Sequence, residues 1–156
     1  MKDFSLLDIE SIESSKGEYE HFMLKEIYEQ PAVLERILMG RLDSVTGNIT
    51  TAALQNLDVS TLEEIIFVGC GTSHNAGMMG ATWVQECAGI RARAEIASEY
   101  IYKPIRTDAS VLHVFLSQSG ETADSIQVLQ YIQERGGKTF GIVNVVGSSI
   151  AHLTDG

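Results

Sequence analysis

The 156-residue sequence has two prolines, two cysteines and one tryptophan, and it is short of positive charge, with 11 Lys and Arg against 21 Asp and Glu. Cys70 and Cys87 make at most one pair, which excludes the disulfide framework that staples small secreted domains. Two prolines beside 14 glycines exclude collagen-like and proline-rich classes. A formal net charge of −10 disfavours nucleic acid, because a phosphate-backbone binder needs a basic stripe. Apolar runs are only a few residues long, Val114-Phe115-Leu116 being typical, whereas a bilayer span needs about 20. The start Met1-Lys2-Asp3-Phe4-Ser5 lacks the apolar stretch of a secretion signal. No His/Cys/Asp/Glu spacing suggests a metal site. The expectation is a protein of the reducing cytoplasm, with no cofactor, no nucleic-acid partner and no membrane partner.

What is present points to one globular domain: 44% hydrophobic and 21% charged residues suffice to build a core. The acid is unevenly placed. Residues 1–64 hold 13 Asp/Glu and 5 Lys/Arg, and residues 65–156 hold 8 and 6, so only the second part suits an anionic ligand. Residues 1–17 show little periodicity and end in Ser14-Ser15-Lys16-Gly17, which reads as a leader or linker. Residues 18–62 read as a helical segment. Phe22, Leu24, Ile27 and Tyr28, then Val33, Leu34, Ile37 and Leu38, recur at helical spacing on either side of Pro31. Since proline disfavours helical geometry in the residue before it, the expectation is two helices broken near Gln30-Pro31, the second ending at Gly40. A short helix is expected around Thr50–Leu57.

From residue 63 short apolar runs alternate with longer helical patterns. Strands are predicted at Ile65–Val68, Ala92–Ile96, Val111–Leu116 and Thr139–Val143, and helices at Asn75–Ala88, Ser98–Tyr102 and Glu121–Glu134. That alternation argues for βαβ units and a parallel sheet covered on both faces. Met78, Met79, Trp83 and Val84 are expected to form the buried face of the first of these helices, with Gly77 and Gly80 permitting close packing on the sheet. Gly147-Ser148-Ser149-Ile150-Ala151 looks like the start of another helix, so residues 63–156 read as a domain cut short.

Two polar clusters follow directly on strands, where open α/β sheets bind ligands. Gly69-Cys70-Gly71-Thr72-Ser73-His74-Asn75 places two hydroxyls at a helix start whose free N–H groups and dipole favour an anion. It is not the dinucleotide fingerprint, since His74 stands where the third glycine belongs, and it lacks the Lys of a P-loop. Ser117-Gln118-Ser119-Gly120-Glu121-Thr122 gathers three hydroxyls, an amide and a glycine, more than one cap can use. A serine nucleophile in a Gly-x-Ser-x-Gly elbow is not met, because Ser117 stands two before Ser119. Two readings remain open for both clusters, a phosphate cradle made of neutral donors or plain helix capping. Glu99 and Glu121, the nearest carboxylates, read as capping or solvated groups.

The Ser-Gln-Ser-Gly-Glu-Thr run resembles the sugar isomerase (SIS) domain family. Gly69-Cys70-Gly71-Thr72-Ser73, Glu95–Tyr100 and the upstream Lys25-Glu26-Ile27-Tyr28-Glu29-Gln30-Pro31 narrow the similarity to the glutamine:fructose-6-phosphate aminotransferases (isomerizing), or glucosamine-6-phosphate synthases. The resemblance runs from about Gly17 to the end. It implies a flavodoxin-like three-layer α/β/α SIS fold with a parallel sheet, truncated at its C-terminus. It also implies that Ser73, Ser117, Gln118, Ser119 and Thr122 hold a sugar phosphate, fructose 6-phosphate or glucose 6-phosphate, with Thr72 near the sugar end. The intact enzyme, a homodimer by resemblance, would make glucosamine 6-phosphate for amino-sugar and UDP-N-acetylglucosamine synthesis. That family's amidotransferase half starts with a catalytic cysteine, whereas this chain starts Met1-Lys2. Its glutamate base, ring-opening histidine and Schiff-base lysine have no counterparts here, so the chain by itself is expected to be inactive. The alternative is a stand-alone SIS module that senses a sugar phosphate without catalysis.

Overall fold

The computed structural model describes residues 16–49 and 57–156, which fall into two compact units on either side of the gap. The expected leader up to residue 15 and most of the expected helix at Thr50–Leu57 lie outside the described residues.

The first unit carries helix α1, Phe22–Leu38. It is one helix, not the expected two, and Pro31 sits inside it. The proline removes a single intrahelical donor, the one that would bond the Ile27 carbonyl. On an exposed helix that carbonyl is free to bond water, and the Lys25–Glu29 ion pair at 3.6 Å bridges the turn before the proline. The helix ends with Met39 N–H donating to Glu35 O and Leu42 N–H to Leu38 O, both at 2.9 Å. None of its residues is buried.

The second unit is a sheet with helices on both faces. β1 (Glu64–Gly69), β2 (Arg91–Ile96), β3 (Val111–Ser117) and β4 (Lys138–Val143) run parallel in the order β2-β1-β3-β4. Between them come α2 (Thr72–Ala88), α3 (Ala97–Tyr100) and α4 (Ala123–Gln133), with α5 (Ser149–Leu153) after β4. The four predicted strands and the helices between them are all present, and the Gly147–Ala151 stretch does open into α5.

The central strands read as continuous apolar runs because both of their faces are covered, and the period of two sorts their side chains. Ile66, Val68, Val111 and Phe115 point to one face, where they meet Tyr100 and the stripe Val128, Leu129 and Ile132 of α4. Phe67, Leu112 and Val114 point to the other, where Ala81 and the half-buried Val84 of α2 close over them. At the outer edge of β4, Thr139 N–H and its hydroxyl donate to the Asp155 carboxylate at 2.9 and 2.7 Å, and Gly141 N–H donates to Gly156 O at 2.8 Å. Strand-edge donors are thereby satisfied by the chain's own last residues.

The buried face of α2 is not the expected one. Met78, Met79 and Trp83 are 55%, 51% and 60% exposed, and the residues against the sheet are Gly77 and Ala81, followed by Val84. The reason is distance. A Cβ at Gly77 would stand 3.0 Å from Phe67 Cβ and 3.2 Å from Leu116 Cδ1, and one at Gly80 would stand 3.2 Å from the Phe67 ring. The helix lies so close to β1 that only small side chains fit beneath it, and the bulky ones turn outward. The two glycines do permit the close packing expected of them. Gly77→Val should therefore lower the unfolding free energy by about 1–3 kcal/mol through overpacking. Trp83→Ala should cost far less than a buried aromatic would, and urea titration of the two variants compares them directly.

Candidate functional site

The chain leaves β1 through α2 to reach β2 on one side, then returns through α3 to β3 on the other. The strand order therefore reverses at β1/β3, and the carboxyl ends of two such strands are where open α/β sheets take their ligands. Val68 pairs with Phe115. One step further on, Leu116 O and the backbone carbon of Ser73 both come within 3.2 Å of the point a Gly69 Cβ would occupy. The fold thus brings the two predicted clusters together.

On the β1 side the N-cap of α2 is Gly71, with φ +55°. Thr72 and Ser73 occupy the first helical turn, and no side chain caps this helix. Ser73 N–H donates to Cys70 O at 3.2 Å and His74 N–H to Gly71 O at 3.1 Å. Within the described residues the hydroxyls of Thr72, exposed, and Ser73, half-buried, make no hydrogen bond, so the capping role open to them in the sequence is unfilled. The His74 ring sits beside them with Nδ1 buried and unpartnered.

On the β3 side Ser117 ends the strand, 7% exposed, and its Oγ accepts from Gly120 N–H at 2.9 Å while lying 3.5 Å from Thr122 Oγ1. Ser119 Oγ accepts from Glu121 N–H at 3.2 Å. Thr122 is the N-cap residue of α4 but makes no side-chain cap. Gln118 and Ser119 are exposed. The serines shape the turn, and the first-turn amides of α4 have no intrahelical acceptor and face outward at the positive end of the helix dipole. No lysine or arginine belongs to either cluster. What this end of the sheet offers an anion is therefore two helix N-termini and neutral donors.

Other titratable groups near the sheet have different partners. Lys103 donates to Glu95 Oε2 at 2.6 Å, and Lys138 opens β4 at the opposite end of the sheet. Glu99 lies in the short α3. Glu121 accepts from Ser149 N–H and Ser149 Oγ at 2.6 and 2.7 Å, and these two donors hold its carboxyl below the usual carboxylate range. It is a cap, as expected, but on α5 and not on its own helix. Cys70 and Cys87 are both free thiols. Cys70 packs against the core, whereas Cys87 is exposed and does not fill it as expected. Among the described residues no three His, Cys, Asp or Glu converge as metal ligands.

The sequence reading missed two features. The β4–α5 turn presses Ser148 and Ser149 against the Ser117–Thr122 loop, and Gly147-Ser148-Ser149, a third small polar cluster after a strand, was the signal for it. The other is a buried polar group under α3, where His113 Nε2 and the Tyr100 hydroxyl share a hydrogen bond at 3.1 Å and the Arg93 guanidinium lies over the Tyr100 ring at 5.5 Å. Arg93 also pairs with Glu64 and Glu95.

Residues 60–156 match the family described as SIS domain. The chain is 41% identical over 151 residues to glutamine–fructose-6-phosphate aminotransferase (isomerizing) of Symbiobacterium thermophilum, covering 96% of this chain and 25% of that protein. It is 37% identical over 154 residues to the same enzyme of Staphylococcus epidermidis, covering 99% and 26%. The C-terminal domain of glucosamine-fructose-6-phosphate aminotransferase from Francisella tularensis superposes with a TM-score of 0.80 at 36% identity, over 91% of this chain and 40% of that one. The chain thus spans about a quarter of the length of the curated relatives it matches.

Proposed function

Because the chain belongs to the SIS domain family, we propose that it binds a sugar phosphate, fructose 6-phosphate or glucose 6-phosphate, at the carboxyl ends of β1 and β3. Ser73, Ser117, Gln118, Ser119 and Thr122 take the phosphate, and Thr72 lies toward the sugar. In this reading residues 63–156 are the phosphosugar-holding part of an SIS domain, residues 18–62 a helical segment ahead of it, and residues 1–17 a linker. They serve a cytoplasmic, homodimeric enzyme that makes glucosamine 6-phosphate from fructose 6-phosphate and glutamine.

The observation that carries the reading is the pair of uncommitted hydroxyls at the uncapped N-terminus of α2, beside a serine-built turn that leaves α4 without a side-chain cap. If capping were the whole purpose of these residues, Thr72, Ser73 and Thr122 would be bonded to helix amides, and they are not. A phosphate dianion has the acceptor oxygens to satisfy both helix starts, with hydrogen bonds to a charged partner worth about 1.5–3 kcal/mol each. In this reading the chain's part in the chemistry is to bind and orient the sugar phosphate. The upstream Lys25–Pro31 stretch, shared with the aminotransferases by resemblance, favours this reading over a stand-alone sensor.

Titration of the chain with fructose 6-phosphate should shift the amides of Thr72–Ser73 and Ser117–Thr122, while unphosphorylated glucose shifts none of them. Ser119→Ala should weaken binding by about tenfold, the equivalent of one 1.4 kcal/mol contact. Amides that stay still in a folded chain, or a Ser119→Ala variant that binds as the parent does, would leave shaping of the turn as the only role of Ser117 and Ser119 and overturn the phosphate reading.

A further inference from the structure

The Ser117–Thr122 loop is held from behind by the turn between β4 and α5. Asn144 N–H donates to Ser117 O at 3.3 Å and Ile150 N–H to Gly120 O at 3.0 Å. Ser149 gives its N–H and its hydroxyl to the two Glu121 carboxylate oxygens. Ser148, 4% exposed, packs its side chain directly on Gly120. Neighbouring loop residues, Gly120 through its carbonyl and Glu121 through its side chain, thus grip consecutive amides at the start of α5, those of Ile150 and Ser149.

Glu121 is an odd residue for a phosphate loop. Its charge opposes a dianion, and electrostatics alone would select a neutral or basic side chain here. Both of its oxygens accept from Ser149, one from the N–H and one from the hydroxyl. Its bonds are charge-assisted and short, the kind that fix geometry.

We propose that Glu121 is the positioning residue of the phosphate loop: by capping Ser149 it clamps the loop to the β4–α5 turn and fixes the direction of the loop amides toward the ligand. The proposal rests on the phosphosugar reading above. In it the carboxylate never touches the ligand. The clamp contributes to affinity because amides already aimed at the phosphate need no ordering when it binds.

The test compares Glu121→Ala with Glu121→Gln in the full chain, measuring affinity for fructose 6-phosphate and for inorganic phosphate by calorimetric or NMR titration, with amide exchange at Ile150 as a second readout. Alanine removes the acceptor and the charge together; glutamine keeps an acceptor for Ser149 and removes only the charge. The expected result is that Glu121→Ala weakens both ligands by about tenfold, the loss of one cap-sized contribution, and speeds Ile150 exchange. Glu121→Gln should recover most of the affinity and the protection. If repulsion between charges dominates, both variants bind more tightly than the parent, and the proposal falls. It falls as well if Glu121→Ala binds as the parent does, or if Glu121→Gln is as weak as Glu121→Ala. A parent chain that binds neither ligand removes the phosphosugar reading and the proposal with it, whereas a binding parent beside an equally binding Glu121→Ala removes the proposal alone.

Discussion

Gly120→Ala is expected to destabilise the second unit by about 2–5 kcal/mol and to abolish detectable sugar-phosphate binding. Two costs add. Gly120 has φ +68°, a left-handed conformation that an L side chain enters at a cost of about 1–2 kcal/mol. A Cβ there would also overlap the Ser148 side chain and come within 2.8 Å of Val143 Cγ1, and such overpacking costs about 1–3 kcal/mol. Ser148 cannot yield cheaply, because it is buried and sits in the turn that Glu121 holds through Ser149. Relief comes only by moving the loop, which displaces the Gly120 amide from Ser117 Oγ and disturbs the proposed cradle. The double variant Gly120→Ala/Ser148→Gly removes much of the overlap but keeps the φ strain, so it should recover part of the stability. Urea unfolding separates the two shares. A Gly120→Ala chain as stable as the parent would show that the loop is not held as described.

The strands were legible because the central ones are buried on both faces, and Ile65–Val68 and Val111–Leu116 therefore stand out as unbroken apolar runs between polar turns. The candidate site was legible for a related reason: hydroxyls and glycines crowded at strand ends have no structural need to be so numerous. What failed to show were effects of distance and context. Around α2 apolar residues occur on several sides, and hydrophobicity favours Met78, Met79 and Trp83 for the core. The close approach of the helix to Phe67 reverses that choice in favour of Gly77 and Ala81. At Pro31 a local rule was overridden, since one lost donor on an exposed helix does not outweigh the turns on either side of it. The hydrogen bonds that tie the Ser117–Thr122 loop to the β4–α5 turn join Glu121 to Ser149 across 28 positions, and no local pattern announces a contact of that range.

The same alternation that places Val111 and Phe115 on the α4 face also places His113 there, and it yields the second large effect. Lowering the pH from 7 to 4.5 should cost the second unit most of about 3 kcal/mol through this one residue. His113 is fully buried. Burial disfavours its charged form and pushes its pKa from 6.5 down to about 4, with the Arg93 charge acting in the same direction and the Lys138 backbone, Glu64 and Asp108 opposing. In the unfolded chain the imidazole takes its proton near pH 6.5; in the folded chain it resists until about pH 4. Between those values the unfolded state binds more protons, so stability is complete above pH 6.5 and drains away as the pH falls toward 4. Carboxylates follow lower down: Asp108, held at about 2 by Ser110 and Arg106, and Glu121, held low by Ser149, keep their contributions above the ordinary carboxylate range and lose them as the pH falls from there toward their lowered values. The two regimes are therefore separable. Urea midpoints at half-unit steps from pH 7.5 to 4.5 should slope in the parent and flatten in His113→Gln, a variant that keeps a polar partner for the Tyr100 hydroxyl without a group that titrates in this window. An equal slope in parent and variant would assign the acid sensitivity to some other group.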